Sequence, residues 1–179
     1  MQKNILIYGL ISGIIVSTIM LFSINYYSHC EGNADWNMSM AIGYASMLIA
    51  FSMVFVGIRN YRDKFNKGNI SFGKAFKIGI LIVLVASTIY VISWLICYFF
   101  FIPDFLDKFN AQEIENMKAS GATIAAIESK TKEMEKFAIM YKNPFFNAMM
   151  TYAEILPVGL IVALISSLIL KRKSTNNAI

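Results

Sequence analysis

The sequence predicts an all-α integral membrane protein with four transmembrane helices and an extracytoplasmic helical segment between the third and the fourth. Three observations carry that prediction. The chain of 179 residues is 57% hydrophobic and only 15% charged, with a mean hydropathy of +0.57, whereas soluble domains are about a quarter charged. Its apolar residues gather in four runs, at about 5–27, 38–58, 76–102 and 145–170, each long enough to cross about 30 Å of hydrocarbon at about 1.5 Å per residue. Its basic residues are shared very unequally among the connections, and such inequality sets the direction of threading.

The first run follows Lys3, but its apolar stretch exceeds the roughly 7 to 15 residues of a cleavable signal core and no small-x-small site follows it, so it is predicted to be retained. Within it, GLISGIIVS sets Gly9, Gly13 and Ser17 four residues apart on one helical face. Such a seam favours helix packing, because inside lipid close backbone contact replaces hydrophobic drive. The second run offers Gly43, Ser46, Ala50 and Gly57 at helical spacing. The short connection SHCEGNADWN makes pairing of the first two helices the economical arrangement. His29, Cys30, Glu31 and Asp35 in that connection carry metal-capable atoms, but neither His-x3-His nor Cys-x2-Cys spacing is present, so no metal is predicted. Two cysteines, Cys30 and Cys97, are too few for a disulfide framework. Both fall toward the outer face, where an oxidising compartment permits a bond between them, and a free buried thiol is the favoured state.

The connection RNYRDKFNKGNISFGKAFK holds Arg59, Arg62, Lys64, Lys67, Lys74 and Lys77 against the single acid Asp63, and the tail 171–179 opens with Lys171, Arg172 and Lys173. Both are predicted to stay in the cytoplasm. SHCEGNADWN has Glu31 and Asp35 with no lysine or arginine, and the segment 103–143 mixes six lysines with seven acids, so both are predicted outside. Four spans then place both termini in the cytoplasm, and Lys3 agrees. Aromatic side chains gather where the boundaries fall: Tyr26 and Tyr27, Trp36, Tyr61, Tyr98 to Phe101, Phe145 and Phe146. Orientation and contact with anionic lipid explain the basic connection, and no nucleic-acid partner is predicted.

The outer segment is patterned as helix. Asn110 followed by Glu113 has the spacing of a capping box, Ser120-Gly121 interrupts, and Ile124, Ile127, Thr131, Met134, Ala138 and Tyr141 then recur at three and four. That stripe lies along a helix of about five turns and needs a partner. The preceding short helix is the favoured one, ahead of the lipid surface or a second copy. A segment this short buries no large core of its own.

Chemistry is thinly supplied. The chain has one histidine and no Gly-x-Ser-x-Gly, P-loop or His-Glu-x-x-His motif. No catalytic residue, no cofactor and no enzymatic activity are predicted. The exceptional pair is Glu154 with Pro157 inside the last apolar run. If the hydrocarbon begins near Thr151, the acid is about 5 Å deep and reaches the headgroups. If it begins at Phe145 and Phe146, the acid is about 12 Å deep, where ionisation is costly. Pro157 lacks an N–H and so leaves the carbonyl of Ala153 without its helical donor. Tyr90, Ser93, Thr18 and Ser46 stand at comparable depth on the other spans as candidate partners for the acid.

The stretches YRDKFNKGNISFGKAFKIG and AEILPVGLIVALISSLIL, together with the four-span layout, resemble the family of small bacterial membrane proteins catalogued as domain of unknown function 4199. The resemblance rests on Tyr61-Arg62, on Ile70 to Phe76 and on Glu154 to Gly159, and it covers nearly the whole chain. It implies the fold and a bacterial cytoplasmic membrane, and it implies no activity. Lys67-Gly68-Asn69 reads as a turn, with Phe72 and Phe76 anchoring the third span at the interface. The functional expectation is a non-enzymatic membrane protein that acts by association, with another copy of itself or with a membrane-protein partner, through its outer segment. The alternative is a small oligomeric transporter or channel that uses Glu154 as an intramembrane ionisable group.

Overall fold

The computed structural model describes residues 1–29 and 36–172, without side-chain detail at 25–29 and 36–40. Cys30, Glu31 and Asp35 of the metal-capable cluster, the pairing of Cys30 and the tail beyond Arg172 lie outside the described residues. Six α-helices follow one another: α1 (Gln2–His29), α2 (Trp36–Asn60), α3 (Phe72–Phe100), α4 (Phe105–Ala119), α5 (Ile124–Tyr141) and α6 (Pro144–Leu170), with a π-helical turn, Tyr61–Phe65, closing α2. The fold is all-helical, and among the described residues extended pairing is confined to one isolated antiparallel bridge, Ile70 with Arg172. Four helices, α1, α2, α3 and α6, are long and apolar enough to cross a membrane. The chain is a multi-pass membrane protein.

These spans run beyond the apolar stretches that announce them. α3 starts at Phe72 rather than near residue 76, and helical winding after the second run continues through Phe65. The edge of the hydrocarbon stops apolar composition, but it does not stop backbone hydrogen bonding, so a helix ends only where the chain turns.

Contacts divide the chain into two compact units, Met1–Val91 with Tyr152–Ile179, and Ile92–Thr151. The first is a helical bundle whose core is built from Phe51, Val54 and Ile58 of α2, Ile78, Ile82 and Val83 of α3, Ile155 and Ala163 of α6, and Val16 of α1. Its helices approach at small residues. A Cβ on Gly159 would overlap Val83 and come within 2.9 Å of Phe51, and one on Gly79 would sit 3.0 Å from the Cβ of Ala163. Gly9 and Gly13 are packed in the same way, against Val85 and Ile89 of α3. The glycine seam of α1 therefore serves α3. Contact with α2 is made by a different face, on which Asn4 donates to the carbonyl of Gly57 at 2.9 Å and Ser12 to that of Ala50 at 2.8 Å, while Tyr8 lies against Gly57. Ser17 is buried, and its hydroxyl finds no partner among the described residues. A Cβ on Gly43 of α2 would meet nothing within 4 Å among the described residues.

The second unit joins the end of α3, the α4–α5 hairpin and the start of α6. Gly121, at φ +78°, makes the break between α4 and α5, a left-handed conformation that favours glycine. Thr123 then caps α5, its side chain accepting from the N–H of Ala126. α4 does not begin at Asn110. It begins five residues earlier, after Pro103 and Asp104, because Phe105 and Phe109 stack as a helical i, i+4 pair and extend the helix toward its N-terminus. Asn110 and Glu113 are thus interior residues. Along the α5 stripe Met134 is buried, Ile127, Thr131, Ala138 and Tyr141 are half-buried, and Ile124 is exposed, while Glu128 and Glu135 face outward.

Candidate functional site

Three groups of side chains stand out, and the basic turn is the first. The π-helical turn presents Arg62 and Asp63 side by side, Arg62 donating to both carboxylate oxygens at 2.6 and 3.2 Å. Arg62 also reaches the carbonyl of Leu170 at the end of α6, at 3.5 Å. The chain then reverses through Lys67 and Gly68, with φ of 51° and 77°, and the N–H of Gly68 returns to the carbonyl of Arg62 at 2.9 Å. Lys67 accepts a left-handed conformation that side chains rarely adopt. Beyond the turn, Ile70 and Arg172 exchange backbone hydrogen bonds of 2.9 and 2.8 Å, tying the basic connection to the tail. Lys74 donates to Asn66 and lies 5.2 Å from the centre of the Tyr61 ring. Phe72 and Phe76 stack next to it, with ring centres 5.6 Å apart. Arg59, Lys64, Lys67, Lys74 and Lys77 are all exposed. The Asn4 to Gly57 bond brings the start of α1 to the same end of the bundle. The start of α1, the end of α6 and the basic turn therefore share one end of this unit.

Glu154 forms the second group almost alone. It lies on the exposed face of α6, as does Pro157, and no hydrogen bond or ion pair reaches it among the described residues. Its neighbours on that face, one turn either side and two turns on, are Met150, Pro157, Val158 and Ile161. All are apolar. The inner face of the same stretch carries Ile155 and Gly159, so the rotation of α6 turns the acid away from the bundle. The polar residue that does reach across is Tyr152, whose hydroxyl donates to Thr88 of α3 at 2.9 Å.

The third group lies in the second unit. Asn147 is fully buried; its Oδ1 accepts from the indole N–H of Trp94 at 3.0 Å and its amide donates to the carbonyl of Tyr141 at 3.4 Å. The same indole N–H lies 3.1 Å from the Tyr141 hydroxyl, and Thr151 donates to the carbonyl of Asn147 at 2.9 Å. Aromatic rings enclose the knot: Phe105 edge-on to Trp94 at 5.3 Å, Tyr98 edge-on to Tyr141 at 5.3 Å, and Phe137 against Phe146 at 5.9 Å. Neither Trp94 nor Asn147 stands out in the sequence. Their separation of 53 residues carries no local signal, and the one available hint is an amide in an otherwise apolar run beginning at Pro144.

A family model described as a protein of unknown function, domain of unknown function 4199, matches residues 7–172. The chain belongs to this family. The match takes in the basic turn, the glycines of α1 and the stretch around Glu154. No curated protein and no solved structure matches the chain. Family membership accordingly fixes what kind of molecule this is, and the functional reading has to come from the three groups themselves.

Proposed function

We propose that this is a non-enzymatic protein of the bacterial cytoplasmic membrane that acts by lateral association, with a second copy or another membrane protein, through the outward face of α6. One observation carries the reading: Glu154 is exposed on an apolar face of a spanning helix with no hydrogen-bond or ion-pair partner among the described residues. An intramembrane carboxylate is costly unless it is paired or hydrogen-bonded, and a donor on a neighbouring protein relieves that cost. The α5 stripe is less suited to the role, since most of it is already covered within its own unit.

The orientation belongs to the proposal as well. Ten of the sixteen basic residues, with one acid, fall in Lys3, the turn and the tail, so this end of the bundle is assigned to the cytoplasm. In intact cells, a cysteine at Lys67 should escape a membrane-impermeant thiol reagent and one at Lys132 should react, in a background without native cysteines. The reverse pattern overturns the orientation. For association, fluorescence energy transfer between labelled copies in bilayers, together with the mass of the lipid-embedded assembly, supplies the measure. Glu154→Gln keeps a hydrogen-bonding group and should retain the complex, whereas Glu154→Ala should weaken it about tenfold, in line with about 1–2 kcal/mol for an interhelical bond in lipid. Equal behaviour of the two variants removes Glu154 from the interface. A proton-dependent flux abolished by Glu154→Gln would instead favour the transporter alternative.

A further inference from the structure

Beside the basic turn, an open cleft of about 330 Å³ lies where α1 meets the end of α2, lined by Tyr8, Phe55, Val56, Arg59, Asn60, Asp63 and Lys64. Its lining changes character along α2. Phe55 and Val56 form an apolar wall, and Arg59 and Lys64 follow within nine residues, about 13 Å along the helix. A headgroup zone about 5–8 Å thick on each side of the hydrocarbon falls within that length. The acid in the lining is already neutralised, since Asp63 is held by Arg62 at 2.6 Å and lies 3.6 Å from Arg59. Lys64 has no ion-pair partner among the described residues, so the cleft keeps an excess of positive charge.

The amide of Asn60 and the hydroxyl of Tyr8 are hydrogen-bonded to each other in the lining. A polar pair thus stands beside two cations and an apolar wall. A soluble phosphate ester would use the charges but not the wall, and a neutral acyl chain would use the wall but not the charges.

We infer that this cleft holds an anionic glycerophospholipid. Its phosphodiester sits between Arg59, Lys64 and the Tyr8 hydroxyl, its head alcohol turns toward Asn60, and one acyl chain lies on Phe55 and Val56. The membrane itself supplies the ligand.

The test uses the full-length protein in nanodiscs of phosphatidylcholine with a minor fraction of phosphatidylglycerol, followed by mild release and native mass spectrometry. One phosphatidylglycerol should be retained per chain in preference to phosphatidylcholine. Arg59→Gln with Lys64→Gln should reduce that retention about tenfold, and Tyr8→Phe should reduce it less, in keeping with the strength of charge-assisted hydrogen bonds. Lys132→Gln with Lys136→Gln, on exposed positions of α5, should leave it unchanged. Circular dichroism and melting of each variant identify any loss caused by unfolding, and Tyr8→Phe, which keeps the ring packed on Gly57, provides the arm least exposed to that problem. Retention blind to headgroup, or lowered equally by the α5 control, overturns the inference. Binding of glycerol 3-phosphate to lipid-depleted protein with equal strength overturns the choice of a lipid.

Discussion

The two units of this chain are held together by opposite means. In the bundle, helices meet through glycine and through side chains that donate to backbone carbonyls: Gly9, Gly13, Gly57, Gly79 and Gly159 on one side, Asn4 and Ser12 on the other. In the second unit, large rings and one buried amide fill the space. Lipid chains are as apolar as leucine, so burying bulk within the bilayer gains little, and close approach with satisfied polar groups is what binds helices there. The second unit joins the ends of two spans to the α4–α5 hairpin, and ring-to-ring contact around a hydrogen-bonded amide holds it.

The sharpest way to break this contrast is to give the bundle the bulk it excludes. Gly159→Leu would drive a side chain into Val83 and Phe51. The expected loss is about 1–3 kcal/mol or more, the range for overpacking. It should show as a lowered melting temperature in detergent and earlier unfolding in denaturant. Gly43→Ala is the matched control, with open space around it, and should be neutral or stabilising by up to about 1 kcal/mol through helix propensity. If the two substitutions act alike, close helix approach is not what holds the bundle.

The corresponding break in the second unit removes the amide rather than adding volume. Asn147→Leu removes one of the two acceptors of the Trp94 indole, leaving it the Tyr141 hydroxyl at 3.1 Å, and should cost about 1 kcal/mol. Trp94→Phe removes the donor 3.0 Å from Asn147 Oδ1, to which Thr151 remains at 3.5 Å, and should cost a similar amount. The double variant should lose less than the sum, because the two changes break the same hydrogen bond. Strict additivity would mean that the hydrogen bond contributes nothing beyond shape.

How much of this was legible beforehand depends on the physical scale of each feature. The four spans, the hairpin break at Ser120-Gly121 and the end shared by the start of α1, the end of α6 and the basic turn are written in runs of composition and charge, which local reading captures. The rotation of α6 is not. That helix is apolar on every side, so no amphipathic pattern states that Ile155 faces inward and Glu154 outward; packing of Gly159 on Val83 decides it. The role of Gly9 and Gly13 was visible, but not the helix they would meet. Asn4 escapes local reading because a polar residue near a helix end reads as solvated until its partner carbonyl is known, and Ser12 because its partner, the Ala50 carbonyl, is on another helix. The Asn110 cap misled for the opposite reason: the spacing was right, but Phe105 and Phe109 extended the helix past it.

The smallest expected effect concerns the start of α4 and sharpens the comparison from the exposed, charged part of the second unit. Asp104 stands just before the helix, and Lys108 one turn on reaches its carboxylate at 2.8 Å. The hydrogen bond from Lys108 holds the Asp104 carboxyl below its ordinary value, with the charge of the same lysine adding to the effect. A carboxyl lowered in the folded state stabilises that state while both forms are ionised. Its contribution is therefore fully present above the ordinary carboxylate range, and it is lost as pH falls through that range and on to the folded value. Both side chains are more than half exposed, so solvent and salt screen most of the interaction. Melting of the full-length protein should not change through this pair between pH 7 and pH 5. Below that, a small decline should appear that is missing in Asp104→Asn and weaker at high salt. A decline beginning near pH 6 and persisting in Asp104→Asn would assign the acid sensitivity to another group, and the charged rim of α4 would then contribute nothing to a unit held by its rings and its buried amide.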